Sequence, residues 1–237
     1  MDQKIVLVLN ASIFVARDFT KIKKLLLLRN KNGIKKKKTN LQWGFQRLKQ
    51  YSFGLERLEQ LDVFKDFSNV IYTDNTVPSK ILIPRNIKKP LPLNTNYILR
   101  KENKVGKFNK GAGLIENLQY CIQHIEQFEY LVYFEPRLYA DNNYFFKDFL
   151  SKPRNLFYKE QNTYKSGYFG VSTADFINFL NKIKIEEVVE KNISVEYLLF
   201  EEFEQLKPDY ILEPFTKRNT GYVNKLDFLD NDAYEIY

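Results

Sequence analysis

Four short stretches combine residue types that can do chemistry. The first is Asn109-Lys110-Gly111-Ala112-Gly113, with Glu116 and Asn117 after it. Glycine lets backbone approach a ligand closely, and a helix start attracts phosphate. Lys110 would add a point charge at a diphosphate. The run is neither Gly-x-Gly-x-x-Gly nor a P-loop, since the Gly-Lys-Ser/Thr ending is missing. A Gly-rich turn capped by Asn109 explains it as well. Asn117 sits at the edge of an apolar helical stripe, where an amide is costly unless bonded. The second stretch, Glu135-Pro136-Arg137, closes an apolar run. Glu135 suits a metal ion or a sugar hydroxyl, and Arg137 suits a phosphate oxygen. The plain alternative is a Glu–Arg pair closing a strand. The third, Ser194-Val195-Glu196, offers a general base for a hydroxyl acceptor. A carboxylate in a helix's first turn is also favoured by the helix dipole alone. The fourth candidate, His124, lies one residue off an apolar helix face, and no catalysis is built on it.

Composition narrows the chemistry. The 237 residues contain one cysteine, Cys121, and one histidine, His124. That excludes a disulfide framework, Cys-built zinc or iron–sulfur sites and His-rich metal sites. Aromatic residues make up 16% of the chain, which excludes wholesale disorder. Nothing reaches the roughly 18 apolar residues of a membrane span. The apolar run Ile5 to Leu9 is too short for a signal-peptide core, so the expected location is cytoplasmic.

The elements that must position these residues are readable from periodicity. Lys4 to Asn10 is a continuous apolar run ending in a polar residue, as expected for a strand buried on both faces. Asn69 to Asp74, Lys80 to Pro84, Asn96 to Arg100 and Tyr130 to Phe134 read as further strands. Thr20 to Arg29 and Leu41 to Leu61 read as helices. Leu114, Leu118, Cys121, Ile122 and Ile125 give a helix after the Gly-rich run. Tyr144 to Leu150 reads as a short aromatic helix. Ser172-Thr-Ala-Asp175 is a capping box, and Ser194 caps a last helix. Alternating strands and helices predict an α/β fold with a mostly parallel sheet. Ligands of such sheets lie beyond the carboxyl ends of the strands. The strand-ending residues Asn10, Asp74, Glu135 and Arg137 are therefore site candidates.

Charge is unevenly spread. Residues 1–110 carry +16 and the rest carry −8, which averages to the net +8. Such asymmetry speaks about partners rather than fold. The Lys35-Lys36-Lys37-Lys38 run is the densest patch, a solvated loop or a contact for an anionic membrane surface. Nucleic acid is the rival partner. It is disfavoured because no named nucleic-acid motif occurs, and Leu41, Phe45 and Leu48 have core spacing.

The order of these features resembles glycosyltransferases of the GT-A, nucleotide-diphospho-sugar transferase fold. In that family an Asn-x-Gly-x-(Gly/Ala)…Asn stretch lies by the donor nucleotide, and Asn109, Gly111, Gly113 and Asn117 match it. The next strand usually ends in Asp-x-Asp, whose carboxylates hold Mg²⁺ or Mn²⁺ on the diphosphate. Here Glu135 keeps the first acidic position, and Arg137 replaces the second. Gly167-Tyr-Phe-Gly170 is similar to the acceptor-side segment, and Glu196 falls where the family often has its catalytic acid residue.

The resemblance implies a single GT-A-like, Rossmann-type domain with a mixed, mostly parallel sheet flanked by helices. Residues 1–137 would form the nucleotide-sugar-binding portion and 138–237 the acceptor portion. The activity implied is sugar transfer from a nucleotide-sugar to a glycan or lipid-linked acceptor in bacterial polysaccharide synthesis. The donor would lie near Asn10, Asp74 and residues 109–113. Arg137 and Lys110 would hold the leaving diphosphate, and Glu196 would deprotonate the acceptor. The implied location is peripheral, at the inner membrane face. Loss of the second carboxylate leaves two outcomes open, metal-independent transfer and a non-catalytic nucleotide- or glycan-binding module.

Overall fold

The computed structural model describes residues 4–13, 40–101, 103–106 and 108–211, with backbone alone at 40–46. The expected helix at Thr20 to Arg29 and the Lys35–Lys38 run lie outside the described residues. The first strand, β1, is Ile5–Ala11, and the long helix α1, Asn40–Gln60, comes before β2, Asn69–Asp74. A one-turn helix α2, Arg85–Lys88, leads to β3, Asn96–Leu99. Then come α3, Lys110–Ile125, and β4, Tyr130–Phe134. Helix α4, Tyr144–Ser151, precedes a hairpin of β5, Leu156–Glu160, and β6, Thr163–Ser172. Helices α5, Thr173–Lys182, α6, Ile185–Glu190, and α7, Val195–Phe203, finish in a two-residue strand β7, Asp209–Tyr210.

The seven strands form one sheet in the order β3-β2-β1-β4-β6-β5-β7. Strands β3, β2, β1 and β4 run parallel. Strand β6 is antiparallel to both β4 and β5, and β7 adds parallel to β5. The chain is thus an α/β protein with a mixed, mostly parallel sheet flanked by helices.

Strand alternation builds two cores. Leu7, Leu9 and Ala11 point to one face with Tyr72, Val132 and Phe134, against Tyr51, Leu55 and Leu58 of α1. Val6 and Val8 point to the other face with Ile71, Leu131 and Tyr133. That face is covered by α3, α5 and α7 through Ile115, Phe176 and Leu199. All these side chains are buried. Each contributes about 1.5–3 kcal/mol for a full-sized apolar group removed from water.

Backbone contact sets two positions. A Cβ on Gly54 of α1 would meet the Pro136 carbonyl oxygen at 1.9 Å, so the loop after β4 lies directly on that helix. A Cβ on Gly170 of β6 would meet the Phe149 ring of α4 at 2.1 Å.

One expected strand is absent. Lys80–Leu82 forms a 3-10 turn, with the Leu82 N–H donating to the Ser79 carbonyl at 2.9 Å. Ser79 caps it, offering the backbone a local partner in place of a sheet ladder. Pro78 and Pro84 bracket the segment and leave it too short for a paired strand. The β5–β6 hairpin gave no clear signal in the sequence. Its aromatics, Phe157, Tyr164 and Phe169, are interleaved with Lys159, Glu160 and Lys165. In the fold these rings stack: Tyr133 on Phe169 at 4.7 Å and Phe157 on Tyr164 at 4.5 Å between centroids.

Candidate functional site

The sheet order reverses beside β1. The chain builds outward through β2 and β3, then returns to place β4 on β1's other side. A crevice opens where such a reversal occurs, outside the carboxyl ends of the two central strands. A cleft of about 570 Å³ lies here, lined by Asn10 near the end of β1 and Ser12 after it, and by Glu135 and Arg137 after β4. The start of α3 and the start of α7 form its walls.

At the β1 end, the polar residues are largely occupied with one another. Asn117 is fully buried, and its Nδ2 donates to Asn10 Oδ1 at 2.7 Å and to Thr73 Oγ1 at 3.0 Å. It therefore holds Asn10 at the cleft floor from behind. Asp74, also fully buried, accepts from Ile13 N–H at 3.1 Å, Thr76 N–H at 2.7 Å and Thr76 Oγ1 at 2.5 Å. Burial pushes its carboxyl above the ordinary 3.8, against the lowering effect of those bonds. Asp74 and Asn117, expected as ligand contacts, do not line the cleft. They tie together the loops that do. Asn75, the next residue, reaches it: its Nδ2 donates to the Gly113 carbonyl at 3.1 Å, and Ser12 Oγ donates to its Oδ1 at 2.6 Å. Gly113 likewise stands behind the cleft, packed on Gly106, which a Cβ would meet at 2.6 Å. The Cys121 thiol donates to Thr73 at 3.4 Å, and burial pushes it up to about 11, so it is no nucleophile.

Asn109 caps α3 by accepting from the Ala112 N–H at 2.9 Å. Its Nδ2 donates to Asn192 Oδ1 at 3.2 Å and to the Ile193 carbonyl at 3.3 Å. This amide stitches the start of α3 to the connection entering α7. Lys110 and Gly111 face the cleft in the first turn of α3. First-turn amides have no partner within their own helix, so they present donors and partial positive charge to an anion.

Arg47 and Tyr51 of α1, which the sequence reading did not select, complete this wall. Arg47 Nε donates to the Ser12 carbonyl at 2.8 Å, and its Nη2 to Tyr51 Oη at 3.2 Å. The same phenol accepts from the Ser12 N–H at 2.9 Å, and burial raises its pKa. The guanidinium of Arg137 lies 5.9 Å from the Tyr51 ring centre, and that of Arg47 lies 5.8 Å away. Two cations thus share one ring beside the start of α3. Four-residue spacing puts Arg47 and Tyr51 on one helix face, but nothing local marks that face as facing a ligand.

At the β4 end, Arg137 Nε donates to Glu135 Oε1 at 2.6 Å, and Nη2 makes a second contact to the same oxygen. The antiparallel pairing of β6 carries Ser166 to this end, where the Glu135 N–H donates to the Gly167 carbonyl at 2.7 Å. Ser166 Oγ then donates to Glu196 Oε1 at 2.5 Å. Glu196 sits in the first turn of α7, capped by Ser194. The fold therefore brings Asn10, Asn109, Lys110, Gly111, Glu135, Arg137 and Glu196 to one cleft, although they span most of the chain.

The residues fit a divalent cation poorly. Magnesium and manganese sites need open carboxylate oxygens. Glu135, the expected ligand, is neutralised by Arg137, and among the described residues no group of three His, Cys, Asp or Glu is placed to hold a metal.

Together these features define an α/β protein with a cationic crevice at a sheet reversal and a carboxylate on its facing helix. No protein-family model matches the chain, and no curated protein matches it.

Proposed function

We propose that the cleft binds a nucleotide-sugar and that the protein is a glycosyltransferase acting without a metal ion. The observation that supports this reading is that two chemistries line one cleft. Arg47, Arg137, Lys110 and the start of α3 line it, and so does Glu196 in the first turn of α7, with a hydroxyl already bonded to it. The cations and helix start suit a diphosphate that gains negative charge as it leaves. Glu196 takes the proton of the acceptor hydroxyl. The acceptor oxygen then bonds to the anomeric carbon as the bond from that carbon to the diphosphate oxygen breaks. Ser166 donates to Glu196 and so holds its carboxylate for this task.

Binding of UDP, CMP and GDP, and hydrolysis of their sugar conjugates, tests the reading. The expected result is binding of at least one nucleotide and slow release of its sugar, both unchanged by EDTA. Glu196→Gln should lower turnover by about 10²–10⁴-fold while donor affinity holds, the usual range for a general base. Unchanged turnover in that variant would refute the base assignment.

A second reading follows from the Glu135–Arg137 pair, which stands where a metal-dependent relative would keep two carboxylates. It makes the chain a nucleotide- or glycan-binding module without transfer activity. Tight nucleotide binding with no turnover on any donor selects it, and no nucleotide binding at all removes both readings.

A further inference from the structure

The connection from β2 to β3 carries a surface that the cleft does not use. From Asn75 to Lys101 the chain contains six cationic residues and no Asp or Glu. Its 3-10 turn exposes Ile81 at 86% and Leu82 at 42% of their surfaces. These apolar side chains are not strays from a loose loop. Ile83, Ile87 and Leu91 anchor the same segment in the core at 2%, 0% and 6% exposure. Ser52 Oγ of α1 donates to the Asn86 carbonyl at 3.4 Å. The turn is thus fixed to the body with its two largest aliphatic side chains facing water. Around it, Lys80, Arg85 and Lys89 are exposed and Lys88 is half-buried. Lys80 Nζ rests 4.3 Å from the Tyr97 ring centre, and among the described residues none of these four cations has an ion-pair partner.

We propose that this turn docks the protein on an anionic lipid bilayer, with Ile81 and Leu82 entering the headgroup–acyl boundary. Lys80, Arg85, Lys88 and Lys89 would lie against lipid phosphates. Exposed apolar side chains in a segment whose only charges are cationic match both halves of such an interface, one burying hydrocarbon and the other meeting negative surface potential. A protein partner would be met by an apolar centre with mixed charge at its rim, and a segment without a single carboxylate does not supply that. The surface does not depend on what the cleft binds.

Co-sedimentation of the full chain with vesicles tests this. Vesicles of mixed phosphatidylcholine and phosphatidylglycerol should pellet the protein, and pure phosphatidylcholine should not. Ile81→Ser with Leu82→Ser should weaken binding at least tenfold, as should Arg85→Gln with Lys89→Gln. Tyr144→Ser, at an exposed aromatic outside this segment, should leave binding unchanged. All the substituted side chains are exposed, so thermal melts should match the parent protein. The proposal falls if anionic vesicles do not pellet the protein, or if both double variants bind them as the parent does. It also falls if Ile81→Ser with Leu82→Ser abolishes self-association or oligonucleotide binding and leaves vesicle binding intact.

Discussion

The carboxyl ends of β1–β2 and of β4 look alike as text, each an apolar strand running into polar residues. In the fold they do different things. At the β1–β2 end, Asp74, Thr73 and Asn117 are fully buried; Asp74 accepts from Ile13 and Thr76, and Asn117 donates to Asn10 and Thr73. At the β4 end, Glu135 and Arg137 remain at the cleft surface, and Glu196 comes in through β6 and Ser166. One end holds the shape, and the other offers charge. The difference arises from neighbours. Strand β2 has parallel partners on both sides, and helix α3 covers its face with Asn117 and Cys121. Beyond β4 the loop turns away at Pro136 and lies on α1, which leaves its charged side chains beside open space.

The comparison can be broken by substitution. Asp74→Ala should have the largest effect on stability. It strands two buried N–H donors and a hydroxyl, at about 1–3 kcal/mol each, so a loss of about 3 kcal/mol or more is expected in urea unfolding. Asp74→Asn adds a pH test. Because burial raises the folded-state pKa of Asp74, the native protein holds that proton more tightly than the unfolded chain. Parent stability relative to the Asn variant should therefore fall as pH rises from about 3.8 through the folded value. A flat difference would mean that the three donors offset desolvation, and a rising one that they outweigh it.

Gly54→Ala comes next, at about 1–3 kcal/mol for overpacking. It should also weaken nucleotide binding, because the backbone it strikes belongs to the loop carrying Arg137. Stability loss without a binding change would show that the loop's seat does not set the position of Arg137.

Arg137→Ala acts on both. Diphosphate binding should weaken about tenfold, about 1.4 kcal/mol. Stability in urea unfolding should fall by about 1–2 kcal/mol, because the mostly buried Glu135 loses its cation. Equal nucleotide affinity would make Arg137 a structural partner of Glu135, and the two strand ends would then be alike after all. Ser166→Ala should have the smallest effect, a few-fold loss of turnover at unchanged donor affinity. That corresponds to one hydrogen bond of about 0.5–1.5 kcal/mol.

Much of the parallel half was legible in sequence because burial on both faces writes continuous apolar runs, as in Ile5 to Leu9 and Tyr130 to Phe134. The caps Asn109, Ser172 and Ser194 were legible too, since each accepts from a backbone N–H three residues on. The hairpin was not, because its strands interleave rings with charges and carry no turn dipeptide. Lys80 to Pro84 misled for the opposite reason, showing apolar residues where only Ile83 is buried. Strand-end logic selects Asn10, Glu135 and Arg137, which line the cleft, and equally Asp74, which does not, because a list of polar ends does not say which are already bonded. Ser12 and Asn75 lie within two residues of positions that were chosen, so extending the rule past each strand end would have found them. Arg47 and Ser166 had no such signal. They reach the cleft by helix packing and by a β4–β6 register that pairs residues far apart in the chain.

The sheet's connectivity also imposes an order in time. Strands β5 and β6 meet across the turn at Gln161 and Asn162, so that hairpin can close as soon as it exists. Strand β1 has to wait. Its partner on one side pairs Val6 with Asn69, and on the other Ile5 with Tyr130. During synthesis β1 therefore emerges well before either of the strands that pair with it. Until β4 has been synthesised, Val6, Leu7, Val8 and Leu9 present one open edge to any chaperone, or to the β1 of a neighbouring chain.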